Sequence, residues 1–235
     1  MTVAERVEQL ALERRLPKGA SQQLLALLDQ LASDRYAPSS ITVPSRAVDV
    51  HLADSLSAVE LAPVRAARRI ADIGSGAGFP GLVLATALPR ARVALIESAG
   101  RKCEYLSRAC AAASIENASV VHSRAESWSD GLARHDLVTA RAVGPLALLC
   151  EYAAPLLVVG GTLVAWKGAL GDAERADAEQ AAAQLGLEPT GTVRTEPYAG
   201  SADHHLVMYA KVTDTPERFP RRPGAARKRP LGQPR

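Results

Sequence analysis

The chain of 235 residues predicts an α/β protein: a mainly parallel, Rossmann-like sheet of seven strands carrying an N-terminal helical cap. Three observations predict it. Before Arg69, apolar residues recur only at helical spacing. From Arg69 onward, short apolar runs alternate with helical stretches, the pattern of a parallel sheet covered on both faces. A glycine-rich turn follows the first of these runs.

Val3, Val7 and Leu10 mark a short amphipathic helix that Pro17 and Gly19 end. Ser21 is the expected cap of a second helix, whose Leu24, Leu27, Leu28 and Leu31 share one face. After a polar linker over 34–42, a third helix from about Ser45 turns Val48, Leu52, Leu56 and Val59 inward. Strands are predicted over 69–73, 92–96, 119–122, 136–140 and 161–166, with helices near 80–88, 101–113 and 146–154 between them. A helix over 172–185 precedes two closing strands, 193–196 and 205–209, which lack a clear helix between them and suit an antiparallel edge hairpin. The expected organisation is a cap over residues 1–62, a sheet domain over 63–215 and a basic, proline-rich flexible tail over 216–235.

Charge divides along the same boundary. The net charge is +3, but residues 216–235 hold seven basic groups against one acidic group, so the rest of the chain is mildly acidic. That balance assigns nucleic-acid attraction to the tail rather than to the body. Cys103, Cys110 and Cys150 are odd in number and form no CxxC, which argues against a disulfide scaffold. Without a signal-like or bilayer-length apolar run, the expectation is a reduced cytoplasmic protein with no membrane contact. His204 and His205 are adjacent rather than ligand-spaced, and no metal site is expected.

The strongest local signal is Ile70-Ala-Asp-Ile-Gly-Ser-Gly-Ala-Gly-Phe-Pro-Gly81. Glycine permits a tight turn and close approach of a ligand to backbone. A dinucleotide fingerprint starting at Gly74 would need glycine where Phe79 stands, and no Lys-Ser or Lys-Thr pair follows to make a P-loop. The remaining D-x-G-x-G-x-G pattern suits a nucleoside-methionine ligand. Asp72 is the candidate for its charged amino group or for the loop amides, and Gly74, Ser75, Gly76 and Gly78 for its cradle. Glu97 closes the second strand, where a carboxylate meets ribose hydroxyls, with Ser98 beside it. Ala125 and Glu126 follow the third strand, at the expected position of adenine and its exocyclic amine. Together these predict a class I S-adenosylmethionine-dependent methyltransferase fold and S-adenosyl-L-methionine as cofactor.

Further blocks occur in one order: His51-Leu-Ala-Asp54-Ser55-Leu56, the Asp72–Gly81 loop, Glu97-Ser-Ala-Gly-Arg-Lys102, His122-Ser-Arg124-Ala-Glu126, Thr139-Ala-Arg141-Ala142, Ala165-Trp-Lys167-Gly168 and His205-Leu-Val-Met. With them the sequence resembles the bacterial RsmG, or GidB, family, over residues 51–208. The resemblance implies methylation of guanine N7 in 16S rRNA and cofactor contacts at Gly74, Phe79, Ala125, Glu126 and Arg141. The chain departs from the family pattern at Ser40-Ile41-Thr42, where an Asn-Leu-Thr segment is usual, and at Glu97, where many relatives carry aspartate.

Guanine N7 offers a lone pair and no proton, so the transfer needs orientation rather than a general base. Arg141 is the first candidate to organise cofactor and base, with Arg124 and Lys102 as further catalytic cations. Candidate RNA contacts are His51, Asp54, Lys102, Arg124 and Lys167, joined by Arg222, Arg227, Lys228 and Arg229 of the tail. His51, Asp54 and Ser55 share a helix face and serve either to contact ligand or to fix the cap. The expected partner is 16S rRNA or the assembled 30S subunit, engaged by a monomer with no obligate protein partner. Two other readings stay open: a methyltransferase of a small molecule or protein, and a non-catalytic RNA or small-subunit binder.

Overall fold

The computed structural model describes residues 1–232; residues 233–235, the end of the expected tail, lie outside it. Its centre is one seven-stranded sheet in the order β3-β2-β1-β4-β5-β7-β6. The strands are β1 (Arg69–Ile73), β2 (Arg92–Glu97), β3 (Ala118–His122), β4 (His135–Arg141), β5 (Leu157–Lys167), β6 (Leu187–Thr195) and β7 (His204–Lys211). Strands β1 to β5 are parallel, while β7 runs antiparallel to both β5 and β6. The closing hairpin is therefore as expected, with both of its strands longer than the sequence pattern suggested. Strand order reverses between β1 and β4, and a crevice opens at their carboxyl ends, the place where such sheets bind ligands.

Alternation along the strands feeds two cores. Ile70, Val93, Leu95, Leu137, Val164 and Leu206 face one side, and Ala71, Ile96, Val138, Leu163, Ala165 and Val207 the other. The first side is covered by α1 (Val3–Glu13), α2 (Ala20–Ser33), α6 (Gly81–Ala87) and α7 (Gly100–Ala112). Thr2 and Glu5 start α1 with reciprocal side-chain caps, whereas α2 begins at Ala20, ahead of the Ser21 expected to cap it. The second side is covered by α8 (Leu146–Ala153) and α9 (Asp172–Leu185), which ends at Gly186 in the left-handed conformation.

Two expectations are corrected. The amino-terminal helices do not form a cap with a core of its own. Leu24, Leu28, Leu52 and Leu56 enter the same core as Leu82, Leu95 and Leu106, because their apolar stripes are continuous with the sheet face. Residues 216–232 are not a loose tail: Phe219 and Ala226 are buried in the second core, and α10 (Ala225–Lys228) lies against α8. Proline and basic content masked the two apolar anchors that dock the segment.

The third expected helix is present but irregular. α3 (Pro44–Ala47) passes into a π-helical stretch, Val48–Ala53, and then α4 (Asp54–Leu56), followed by α5 (Ala62–Ala66). π-Helical turns interrupt regular helices most often at functional positions, and this one carries His51.

Candidate active site

The glycine turn sits at the end of β1. Gly74 and Ser75 donate backbone N–H groups to the carbonyl of Ile96 at 2.9 and 3.1 Å, which ties the turn to β2. Gly74 has φ +67°, and a Cβ there would lie 2.7 Å from Val143 Cγ2. Only glycine lets the loop close against the β4 end and still face the crevice. Glu97 accepts from Gly76 N at 3.2 Å through Oε2, and from Ser98 N and Ala99 N through Oε1. The amides hold the carboxylate in place and leave Oε2 with acceptor capacity toward the crevice. Gly74, Glu97, Ser98, Arg124, Ala125 and Glu126 line a cleft of about 160 Å³. These residues fit a nucleoside: a glycine cradle that a Cβ would fill, an anchored carboxylate beside it, and a second carboxylate further along.

Asp72 is not part of that wall. It faces α6, fully buried, where Oδ1 accepts from Thr139 Oγ1 at 2.8 Å and Oδ2 has no partner. Burial pushes its carboxyl up to about 6 against the pull of the Thr139 hydrogen bond. One residue of strand alternation separates it from the crevice, so it supports the loop from beneath. Ser75 is likewise buried, its hydroxyl spent on the Asp72 carbonyl at 2.9 Å. Gly76 and Gly78 shape the turn without lining the cleft.

A second cavity, about 400 Å³, opens on the other side of the β4 end, between Arg141, Trp166, Lys167, Thr195 and His204. The turn after β4 serves both spaces: Val143 lines the cleft, while Arg141, Ala142 and Gly144 line the cavity. Ala142 holds φ +57°, a costly conformation for a residue with a Cβ and one that clusters at functional sites.

Arg141 is clamped. Its guanidinium donates to Asp54 Oδ2 at 2.7 Å and to the Val50 carbonyl at 3.1 Å, and reaches His51 Nδ1 at 3.2 Å. Asp54 Oδ1 meets His204 Nδ1 at 3.0 Å, and Trp166 Nε1 donates to the Asp54 carbonyl. His51 Nε2 lies 3.0 Å from the Ile41 carbonyl, an acceptor only, so the proton sits on Nε2 and Nδ1 accepts from Arg141. Burial, then the Arg141 charge, lowers the His51 pKa to about 4. Its ring stacks on Phe79, centroids 4.6 Å apart and 4° from parallel. Ile41, within the Ser40-Ile41-Thr42 departure from the family pattern, thus props His51 through its carbonyl, joined by the hydroxyl of the preceding Ser39.

Several expected contacts fall elsewhere. His51 and Asp54 line the Arg141 cavity but are largely buried, and their polar atoms are taken up by Arg141, Ile41 and His204, so they hold Arg141 in place at its wall. Lys167 pairs with Glu174 at 2.7 Å and donates to the Gly144 carbonyl, which makes it a brace for the β4 turn. Lys102 is exposed on α7, outside the walls of both spaces, because its helix turns it outward. Arg124 is exposed at the cleft, 4.0 Å from Glu126, and does not line the Arg141 cavity. His204, Val143 and Tyr152 were not singled out as site residues; antiparallel pairing of β7 with β5 brings in His204, a contact that sequence spacing does not reveal. Among the described residues no group of three or more His, Cys, Asp or Glu is arranged to hold a metal ion. No helix among them is long and apolar enough to cross a membrane.

Comparison with known proteins agrees with this fold. Solved structures share the fold: an MtNAS variant in complex with S-adenosylmethionine gives a TM-score of 0.57 at 17% identity, covering 83% of this chain and 74% of that one. A fibrillarin pre-rRNA processing protein from Methanococcus jannaschii gives 0.53 at 18% identity, over 66% and 71%. Two proteins named ribosomal RNA small subunit methyltransferase G are much nearer in sequence. That of Rubrobacter xylanophilus is 40% identical over 90% of this chain and 85% of its own length, and that of Chloroflexus aggregans 39% identical over 89% of each. The GidB family model, rRNA small subunit methyltransferase G, matches residues 20–201, and the chain therefore belongs to that family.

Proposed function

We propose that this chain transfers the methyl group of S-adenosylmethionine to N7 of a guanine in 16S rRNA, acting as a cytoplasmic monomer with no obligate protein partner. The observation that carries the reading is the Arg141–Gly144 turn, one face of which serves the cleft walled by the glycine loop, Glu97 and Glu126, and the other a cavity ringed by Trp166 and His204. Bound in the cleft, S-adenosylmethionine supplies an electrophilic methyl group. Glu97 offers Oε2 to the ribose, Gly74 allows close approach, and Glu126 faces the adenine end.

The chemistry at N7 needs no proton acceptor. His51, neutral and hydrogen-bonded through both ring nitrogens, is suited to holding Arg141 rather than to moving protons. Held by Asp54, Arg141 directs its remaining donor capacity to the cavity, where it orients the base by proximity. The Asp54 carboxylate offsets the arginine charge, which makes a guanidinium near a sulfonium tolerable. Exposed Arg222, Lys228 and Arg229 suit phosphate contacts, which position RNA without reading its sequence.

The test is transfer of labelled methyl from S-adenosylmethionine to 30S particles, free 16S RNA and total protein, with digestion of the RNA product. Label in 7-methylguanosine that Arg141→Ala abolishes is the expected result. Label confined to protein or small molecules would overturn the reading, as would cofactor binding with no transfer to RNA.

A further inference from the structure

The family match ends at residue 201, yet the segment 216–232 returns to the cleft. Its path is specified by buried groups. Phe219 and Ala226 insert into the core beside α8. Arg221 forks onto both oxygens of Glu151, which is only 3% exposed, with Nε–Oε1 at 2.6 Å. The same guanidinium donates to the Arg229 carbonyl at 2.9 Å, which closes the segment into a loop. A detached segment would leave Glu151 charged and unpaired in the core, a costly state, so the loop is held where it lies.

Docked this way, the segment delivers two groups to the adenine end of the cleft. Gly224, with φ +79°, donates its backbone N–H to Glu126 Oε1 at 3.1 Å. Arg227 lines the cleft with Glu126 and Tyr152. A carboxylate with one oxygen anchored has the other free to accept from an exocyclic amine. A guanidinium offers a flat face and outward donors, which match a purine's π-face and ring nitrogens.

We propose that residues 216–232 form a clasp on the adenine end of the cofactor, in which Gly224 orients Glu126 toward the purine amine and Arg227 closes the wall against the ring. The inference rests on the reading that this cleft holds S-adenosylmethionine. It gives the segment a role beside the expected RNA contacts, since Arg221 and Gly224 face inward while Arg222, Lys228 and Arg229 stay on the outer surface.

Calorimetric titration of the full chain with S-adenosylmethionine, S-adenosylhomocysteine and S-inosylhomocysteine tests it, with Glu97→Ala as the cleft control. Arg227→Ala is expected to weaken both adenosyl ligands about fivefold, and Arg227→Lys less. Undocking through Arg221→Ala is expected to weaken them similarly and to narrow the preference for adenosyl over inosyl ligand, a change that general loosening of the fold would not produce. Thermal unfolding of the ligand-free variants identifies any that fail to fold, in which case Arg227→Ala, on the exposed face, carries the test. Loss of binding in Glu97→Ala with wild-type affinities in all clasp variants would overturn the clasp and leave the cleft reading standing. A raised KM for RNA with unchanged cofactor affinity would make the segment an RNA tether and overturn it too. No cofactor binding by the wild-type chain, or none lost in Glu97→Ala, would overturn the cleft reading and the clasp with it.

Discussion

Arg141 and Asp54 stand 87 positions apart in the chain and 2.7 Å apart in space, with the arginine at the end of β4 and the aspartate on the irregular third helix. The pair joins the amino-terminal helical layer to the carboxyl-terminal edge of the sheet. It also ties His51 to the guanidinium and His204 to the carboxylate, while Trp166 holds the backbone carbonyl of the same aspartate. Breaking it leaves Asp54 buried beside a histidine and little else.

Arg141→Ala is expected to cost about 3 kcal/mol of stability, because it strands a buried carboxylate, and to reduce methyl transfer at least a hundredfold. Arg141→Lys should recover part of the stability and little of the activity. A lysine has no fork with which to reach Asp54, Val50 and His51 at once. Urea unfolding and single-turnover methyl transfer separate the two effects.

Acid stability should show two opposed slopes. His51 has a folded pKa lowered to about 4 from 6.5, so the unfolded chain binds the extra proton between those values and stability rises with pH there. Asp72 has a folded pKa raised to about 6 from 3.8, so the folded chain holds the extra proton and stability falls as pH rises through that window. Asp72→Asn should therefore expose a rise of roughly 1.4 kcal/mol per pH unit between about pH 4 and 6, to which His135, also lowered by burial, adds. His51→Gln should tilt the profile the other way. Urea midpoints measured across that range check both signs.

Gly74→Ala should abolish measurable cofactor binding, since the new methyl meets Val143 Cγ2 at 2.7 Å and the backbone holds φ +67°. Val143→Ala in the same chain should restore binding only in part. It removes the clash and leaves the left-handed strain, which costs about 1 kcal/mol for alanine. Full rescue would show that the backbone there relaxes freely.

Arg221→Ala should destabilise the chain by about 3 kcal/mol by orphaning Glu151, a drop of roughly 6–12 °C in Tm for a domain of this size. A double-mutant cycle with Glu151→Gln should return a coupling well above that of a surface pair, which is usually below about 1 kcal/mol. Additive effects would mean that the fork contributes little.

Lys167 and the outer cations of the clasp should separate in a salt titration of RNA binding. Replacing Lys228 and Arg229 together should reduce the slope of log affinity against log salt by about 1.4, as expected for two phosphate contacts to single-stranded RNA. Lys167→Ala should leave the slope unchanged and lower stability, because its ammonium is committed to Glu174 and Gly144.

Much of this was legible in the sequence for a physical reason: strand alternation, helical periodicity and glycine turns are local. The β-α order, the glycine loop, the Glu97 and Glu126 positions and the closing hairpin all follow from residues a few places apart. The sequence by itself also singled out Arg141. What only the tertiary structure decided was which side chains meet across long separations. It turned Asp72 under the loop by one step of strand alternation, and gave His51 and Asp54 to Arg141 rather than to solvent. It spent Lys167 on Glu174. It also folded residues 216–232 back onto the cleft, where composition alone had suggested disorder. Charge and proline content report the average tendency of a segment. Two buried apolar anchors and one buried ion pair are enough to override it, because they are satisfied only in the docked position.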